Sequence, residues 1–328
     1  MEHRQLGTSD LQLPTVTFGA WAIGGLFWGG SDDREAISAI HAAIDAGCNA
    51  IDTAPIYGRG HSERIVGQAI RGRRDKVLIL TKCGIRWDVN QGEHHFTIPA
   101  PDGSHVTAYR WLSGESILYE CEQSLQRLGI ETIDLYQIHT PNSVNPHDEV
   151  MSALLKLQEQ GKIRHIGVSN YSSAQMDDIR RYGAIVSNQI RYNLVQRDIE
   201  KDELPYCRQH NLGVIAYSPM AMGLLTGKVT EDRKFPESDV RSNRPLYSVE
   251  NRRRVLEALE KVRPIAEAHQ CTFGQLAVAW VLHQPGITTA LVGARNAEQA
   301  RQNAAAADVK LSAQELETIL AAFEGIIQ

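Results

Sequence analysis

The sequence predicts an α/β protein, namely a single (β/α)8 TIM barrel with an N-terminal β-hairpin cap and long βα loops. Short apolar, β-branched segments alternate with amphipathic helical segments eight times, and no polar linker divides residues 1–328. Because a βαβ order implies parallel strands joined by right-handed crossovers, eight such units favour a closed barrel. A doubly wound sheet is the alternative, and it is disfavoured because no strand is followed by a glycine-rich phosphate-binding motif.

Each predicted strand is short and apolar, and each predicted helix begins at a polar or proline residue. Ser113, for example, precedes Glu115 and Ser116, a favourable first turn for a helix. The predicted strands are Val16–Gly19, Ala50–Asp52, Val77–Thr81, Ile133–Ile138, His165–Val168, Ile185–Ser187, Gly213–Tyr217 and Thr289–Val292. The helices are predicted to begin near Asp33, Ser62, Ser113, Pro146, Ser173, Asp202, Arg252 and Thr272.

Three segments fall outside the regular repeat. Residues 1–14 are predicted as a hairpin cap over one barrel mouth, because Arg4–Leu6 and Leu11–Leu13 flank a turn at Gly7–Asp10. The connections 83–112 and 219–249 are too long for simple turns. Both follow strands, so both are expected at the same mouth, and loops of this length in compact domains are usually functional.

The composition is typical of a globular protein and argues against a nucleic-acid-binding, membrane or metal-binding one. Hydrophobic residues make up 42% and charged residues 22% of the chain, as in an ordinary globular domain. A net charge of -5 argues against a nucleic-acid partner. Neither a membrane-spanning run nor a signal-peptide core is evident. Five cysteines without metal-site spacing favour a reduced, cytoplasmic protein with no bound metal.

Polar side chains follow the predicted strands, where the reacting groups of a (β/α)8 barrel lie. Asp52 and Lys82 follow neighbouring strands, and they are expected to pair because an unpaired buried charge is costly. Tyr57 lies five residues beyond Asp52 in a loop rich in Gly and Pro, which can turn its phenol over the mouth. The residues at the predicted strand ends are Trp21, Asp52, Lys82, His139, Ser169, Asn170, Gln189, Ser218 and Gly293.

This constellation predicts general acid catalysis of carbonyl reduction. An ammonium beside a phenol lowers the pKa of the phenol, so Lys82, held by Asp52, would make Tyr57 a usable proton donor. His139 would bind the carbonyl oxygen, and with Lys82 it would stabilise the charge that hydride addition creates there. Each group alone is more often structural, but the four together on three strand ends favour catalysis.

The residues at these positions resemble the aldo-keto reductase family, and the resemblance spans nearly the whole chain. The most specific segment is Asp-Thr-Ala-Pro-Ile-Tyr-Gly-Arg-Gly-His-Ser-Glu at 52–63, and others are Thr81-Lys82, Gln137–His139, 161–170, Ala216–Pro219 and 293–303. The similarity is greater to the bacterial and potassium-channel-β branches. It implies an NADP-dependent enzyme that reduces aldehydes or ketones to alcohols, with a tetrad of Asp52, Tyr57, Lys82 and His139.

The resemblance also implies an extended NADPH (NADP+) site without a Rossmann motif. Tyr217 would stack on the nicotinamide, and Arg295 would provide a guanidinium fork for the 2′-phosphate that distinguishes NADPH from NADH. The segment from Pro219 to Met222 departs from the usual family sequence. The implied cofactor contacts are Trp21, Asp52, Ser169, Asn170, Gln189, Tyr217, Ser218, Pro219, Met220, Gly223, Leu224, Lys228, Arg241, Gly293, Arg295, Gln299 and Asn303.

Aromatic residues in the predicted loops suggest a substrate pocket of Trp21, Trp28, Tyr57, Trp87 and His139. The polarity of segment 83–112 would allow a hydroxylated, sugar-like substrate. Two alternatives remain: a slow-turnover, nicotinamide-binding regulatory subunit like the channel β subunits, and a Schiff-base barrel that uses Lys82. The second is disfavoured because Asp52 would keep Lys82 charged. The substrate, the direction of flux and the oligomeric state stay open.

Overall fold

The computed structural model describes residues 1–25, 28, 30–99, 105–236, 239–242 and 244–326. Within these ranges the strands are β1 His3–Gln5, β2 Gln12–Pro14, β3 Val16–Gly19, β4 Ala50–Asp52, β5 Leu78–Cys83, β6 Ile85–Arg86, β7 Glu93–Pro99, β8 His105–Arg110, β9 Ile133–Ile138, β10 Ile163–Ser169, β11 Ser187–Arg191, β12 Gly213–Tyr217 and β13 Ile287–Gly293. The helices are α1 Asp33–Asp45, α2 His61–Ala69, α3 Gly114–Leu128, α4 His147–Glu159, α5 Ser173–Ile179, α6 Glu203–Gln209, α7 Val249–Ala268, α8 Phe273–Leu282, α9 Ala297–Ala305 and α10 Ala313–Ala322.

Eight parallel strands close into the predicted barrel, in the order β3-β4-β5-β9-β10-β11-β12-β13. Closure is completed by β13, which pairs with β3 through Ala290 opposite Val16 and Gly293 opposite Gly19. Most residues of the barrel strands are buried and apolar, so the strands present almost continuous buried runs, with Asp52, Lys82, Gln137 and Gln189 among the buried polar exceptions. The predicted (β/α)8 architecture is therefore confirmed.

Local signals predicted most element bounds to within two residues. Ser113, Pro146, Asp202 and Thr272 are the N-cap residues of their helices, so each helix begins one residue later than predicted. The sixth barrel strand lies further from its predicted place, at Ser187–Arg191 instead of Ile185–Ser187. Its first residues, Ser-Asn-Gln, are polar and buried, and an apolar pattern cannot identify such a strand.

The predicted N-terminal hairpin closes the N-terminal mouth of the barrel. β1 and β2 pair antiparallel, and Leu6, Leu11 and Leu13 pack against the interior side chains of the barrel. Gly7 at the turn has φ of +55°, and a Cβ there would lie 2.2 Å from the carbonyl oxygen of Val186. Only glycine suits this conformation and this close approach.

The connection 83–112 is a small sheet where the sequence indicated only a long loop. β6, β8 and β7 form an antiparallel sheet in that order, which we call the flap. β6 begins two residues after β5 ends, so the flap extends directly from the barrel. No helix within the described ranges is long and apolar enough to cross a membrane.

We predict that Gly7→Ala destabilises the protein more than Gly129→Ala does. Both glycines have positive φ, +55° and +65°, but a Cβ at Gly129 would meet no atom within 4 Å. Gly129→Ala should therefore cost only the backbone strain, about 1 kcal/mol, whereas Gly7→Ala adds a steric clash worth roughly 1–3 kcal/mol. Urea unfolding of both variants measures the difference. Equal losses would show that the hairpin turn tolerates the methyl group.

Candidate active site

A cleft of about 880 Å³ opens at the C-terminal mouth of the barrel. Its floor is formed by the ends of the barrel strands, and its walls come from both long connections, 83–112 and 219–249. The two connections therefore meet at the same mouth, as predicted. The hairpin occupies the opposite mouth, so this cleft is the place where side chains at the strand ends converge.

A buried ion pair lies beneath the cleft. Lys82 Nζ donates to Asp52 Oδ1 at 2.5 Å and to the carbonyl oxygen of Thr53 at 2.9 Å, and Lys82 has no exposed surface. Burial lowers the pKa of Lys82, and the carboxylate of Asp52 opposes that shift. The predicted pairing across β4 and β5 is present.

Two side-chain amides supply the remaining hydrogen bonds to the carboxylate of Asp52. Its Oδ2 accepts from Gln189 Nε2 at 2.8 Å and from Gln137 Nε2 at 3.2 Å. Both N–H groups of Gln189 are thus engaged, because the second donates to Gln137 Oε1. Gln137 was not predicted as a site residue, although its place near the end of β9, two residues before His139, was a usable signal. Gln189 also lines the cleft, so its implied contact with the cofactor stays a prediction.

The other two members of the predicted tetrad lie above the pair. Lys82 Nζ is 5.1 Å from the ring centroid of Tyr57, and the Tyr57 and His139 rings make an edge-on contact at 5.7 Å. Trp21 flanks Tyr57 at 6.2 Å. The loop that follows β4 therefore turns the phenol back over the mouth, and all four side chains converge.

The protonation of Tyr57 differs from the expectation. Burial raises the pKa of Tyr57 well above that of a free phenol, and the charge of Asp52 raises it further. The pKa of Tyr57 is raised in spite of the nearby Lys82 ammonium, which Asp52 engages, so the sequence-based prediction of a lowered value is wrong. Burial, with the charge of Lys82, lowers the pKa of His139 well below its usual value. At neutral pH the site therefore holds a protonated phenol beside a neutral imidazole.

Hydroxyl and amide groups at the ends of β10 and β12 form one network on the cleft wall. Ser169 Oγ donates to the carbonyl oxygen of Gln189 at 2.8 Å, and Asn170 Nδ2 donates to that of His139 at 3.1 Å. Tyr217 OH donates to Asn170 Oδ1 at 2.9 Å. These groups lie next to the phenol and imidazole and can orient a flat amide-bearing ring against Tyr217.

The backbone beyond β12 is strained in a way that suits an anionic ligand. Ser218, Ala221, Met222 and Gly223 all have positive φ, between +46° and +96°. Left-handed residues are costly for non-glycine side chains and gather at ligand sites, where successive N–H groups can bind anions. Ser218, Pro219, Met220 and Gly223 line the cleft as predicted, but Leu224 is 1% exposed and does not. The implied contact between Leu224 and the cofactor therefore stays a prediction.

Cationic side chains line the same end of the cleft: Lys228, Arg233, Arg241, Arg244 and Arg295. Arg241 is engaged by Asp239 through Nε and Nη2 at 2.8 and 2.7 Å, and its guanidinium lies over Trp28 and Phe235. Within the part of the chain that the structure describes, the other four cations have no carboxylate partner. An extended anionic molecule such as a dinucleotide fits this end.

Three of the implied cofactor contacts, Arg295, Gln299 and Asn303, lie just before and within α9. Gln299 Oε1 accepts from the backbone N–H of Arg295 at 3.0 Å, and Asn303 Nδ2 donates to the carbonyl oxygen of Gly293 at 3.0 Å. All four line the cleft, and the side chain of Arg295 is exposed. The guanidinium is therefore available to a ligand, while the two amides hold the loop that carries it.

Aromatic residues form the part of the cleft nearest the phenol, but not all those predicted. Trp21 and Trp28 both line it and meet edge-on at 5.2 Å. Trp87 packs instead against a small cluster of Ala54, Ile56, Ile85 and Ala108 and is not in the wall. The cleft lining therefore does not support the assignment of Trp87 to the substrate pocket, which stays a prediction. The flap contributes Ile85, His95, Phe96 and Ile98 to the wall, and none of them was predicted as a site residue.

A buried glutamate fixes the joint between barrel and flap. Both carboxylate oxygens of Glu120, on α3, accept from the N–H of Gly84 at 3.1 Å, and the preceding carbonyl of Cys83 accepts from the N–H of His139 at 2.9 Å. Burial raises the pKa of Glu120 to about 8. The peptide between Cys83 and Gly84 thus joins β5 to the flap. The carboxyl group of Glu120, which binds this peptide, holds its proton at neutral pH.

Comparisons with known proteins agree with this geometry. The sequence profile of the aldo/keto reductase family matches residues 15–324. An Escherichia coli relative, named NADH-specific methylglyoxal reductase, is 39% identical over 318 residues, which cover 95% of each chain. The glycerol dehydrogenase structure from Gluconobacter oxydans matches with a TM-score of 0.86 at 40% identity, covering 98% of this chain and 95% of that one. An aldo-keto reductase from Klebsiella pneumoniae in complex with NADPH gives 0.73 at 30% identity, covering 97% and 93%.

We predict a pH-dependent stability contribution from Glu120. The unfolded chain loses this proton near pH 4.5 and the folded protein near pH 8, so between these values the folded state binds more protons. The free energy of unfolding contributed by Glu120 therefore falls as pH rises through this window, by at most about 1.4 kcal/mol per pH unit.

Urea unfolding of wild type and Glu120→Gln from pH 5 to 8 measures this effect. The stability of wild type relative to the variant should decline across the range. Glu122→Gln, two residues away on the same helix with a half-exposed side chain paired to Lys162, is the control and should show no such trend. A constant difference for Glu120→Gln would contradict the raised pKa.

Proposed function

The chain belongs to the aldo/keto reductase family, and on that basis we propose that it is an NADPH-dependent oxidoreductase that reduces aldehydes or ketones to alcohols. The observation that supports this most directly is the convergence of a buried Lys82–Asp52 pair, the Tyr57 phenol and the His139 imidazole at one barrel mouth. Carbonyl reduction needs a proton donor and a group that binds the carbonyl oxygen at the same point, and these side chains supply both.

The chain contributes proton transfer and orientation. A bound reduced nicotinamide supplies the hydride. His139, neutral because it is buried beside Lys82, donates an N–H to the substrate oxygen and orients the carbonyl. Tyr57 gives its hydroxyl proton to that oxygen as negative charge develops there.

The raised pKa of Tyr57 is compatible with this role. It keeps the phenol protonated until the substrate oxygen becomes an alkoxide, which is a stronger base than the phenolate. The ammonium of Lys82, 5.1 Å from the ring centroid, then stabilises the phenolate left behind. Asp52 and Thr53 hold that ammonium in place, so its charge is available without further reorganisation.

The choice of NADPH rests on the cationic end of the cleft. The guanidinium of Arg295 is exposed beside the start of α9, and a planar fork of N–H donors matches a phosphate better than a hydroxyl. A similar structure contains NADPH, while the Escherichia coli relative is named NADH-specific. Arg295 is therefore the residue on which the proposed preference depends.

We expect Tyr57→Phe to bind NADPH as wild type does and to lower kcat for aldehyde reduction by roughly 10²–10⁴-fold, since it removes only the proton donor. Nucleotide-dependent fluorescence quenching measures binding, and NADPH oxidation on a carbonyl panel measures turnover. Tyr182→Phe is the control, because that ring is 46% exposed on the surface. Unchanged turnover in Tyr57→Phe would refute the acid role. Binding without turnover by wild type would favour a regulatory nucleotide-binding subunit.

We expect Arg295→Ala to raise the Kd for NADPH about 10–100-fold, the loss of a charge-assisted contact, and the Kd for NADH less than about threefold. Arg301→Ala is a matched control on α9, where Arg301 pairs with Glu298 on the surface. Titration of each variant with both nucleotides measures the effect. An equal loss of affinity for the two would contradict a 2′-phosphate contact.

A further inference from the structure

The flap strand β7 contains an irregularity at one residue. β7 pairs with β8 so that His94 lies opposite Tyr109 and Phe96 opposite Ala108. His95, between them, has no residue opposite, so the strand has a bulge there. Bulges occur next to active sites, where they redirect a side chain.

The bulge decides which way His95 points. In a regular strand alternate residues face opposite sides, so His95 would face away from Phe96 and Ile98. Instead His95, Phe96 and Ile98 all line the cleft. His94 points elsewhere, with Nε2 3.0 Å from Thr97 Oγ1 and its ring edge-on to Tyr109. The bulge thus directs the imidazole of His95 into the cleft and leaves that of His94 outside it.

His95 is exposed and lines the same cleft as Tyr57 and His139. The imidazoles of His95 and His139 interact electrostatically, which is consistent with their lying in one region of the cleft. The imidazole of His95 contacts the ring of Phe96 at 5.2 Å, and no hydrogen-bond partner for it is found within the described ranges. Apolar and aromatic residues of the described ranges also line the cleft, namely Trp21, Trp28, Ile56, Ile85, Phe96 and Ile98.

The protonation of His95 selects the kind of group that it can bind. Partial burial lowers its pKa, the nearby charges of Arg110 and His94 lower it further, and Glu93 opposes the shift. A neutral imidazole has one N–H donor and one nitrogen acceptor, which together match a hydroxyl group. A carboxylate would require a cation, so it is a poorer partner.

We propose that His95 is a specificity-determining residue that hydrogen-bonds a hydroxyl group near the reacting carbonyl, so that the enzyme prefers hydroxy-aldehydes and hydroxy-ketones over alkyl carbonyls. The inference rests on the proposed reductase function and deepens it. Tyr57 and His139 bind the oxygen that reacts, and His95 binds a second oxygen. Among the described residues of the flap, His95 is the polar side chain that lines the cleft.

The test compares two aldehydes of similar size, glyceraldehyde with hydroxyl groups and butanal without them. The measured quantity is the ratio of kcat/KM for the two in wild type, His95→Leu and His95→Gln, at neutral pH with saturating NADPH. One neutral hydrogen bond predicts about a tenfold fall of this ratio in His95→Leu. His95→Gln keeps a donor and an acceptor and should stay within about threefold of wild type.

His94→Leu is the matched control, because it removes the adjacent imidazole on the other side of the bulge and should leave the ratio unchanged. Nucleotide binding by each variant confirms that the cleft is intact. If His95→Leu leaves the ratio unchanged, or lowers kcat/KM for both aldehydes equally, the role of His95 is overturned. If wild type reduces neither aldehyde with NADPH or NADH, the proposed reductase function itself fails, which is a distinguishable result.

Discussion

The buried contact between Lys82 and Asp52 is the interaction on which the rest of the site depends. Removing one partner of such a pair leaves an uncompensated charge in the interior, at a cost of about 3–5 kcal/mol. The shell of Asp52 draws amides from β9 and β11, so four strands of the barrel meet around one carboxylate. Because groups from four strands surround the Asp52 carboxylate, its contacts also fix the strand ends that lead to Tyr57 and His139.

Much of this arrangement could be read from the sequence because its signals are local. An apolar strand followed by Asp52, Lys82 or His139 marks a strand end, and parallel order brings such ends together. Features that depend on contacts between residues far apart in the sequence could not be predicted. The bulge at His95 arises from the register of β7 against β8, and burial of Tyr57 beneath aromatic neighbours reverses the expected direction of its pKa.

The flap is joined to β5, the strand that carries Lys82, by one peptide with hydrogen bonds on both sides. The peptide between Cys83 and Gly84 is held on one side by the N–H of His139 and on the other by Glu120. The group that binds the reacting oxygen and the sheet that carries His95 are therefore positioned from the same point. A change in substrate preference through the flap need not disturb proton transfer, since the bulge acts beyond this joint.

The closed N-terminal mouth constrains how molecules reach the site. Leu6, Leu11 and Leu13 fill that end with side chains that pack into the barrel interior, so within the described residues the barrel opens at its C-terminal mouth. Two reactants that bind in this cleft therefore share that mouth. Whichever of them lies deeper has to arrive first and depart last, so an ordered sequence of entry and exit follows from the architecture before any kinetic preference is considered.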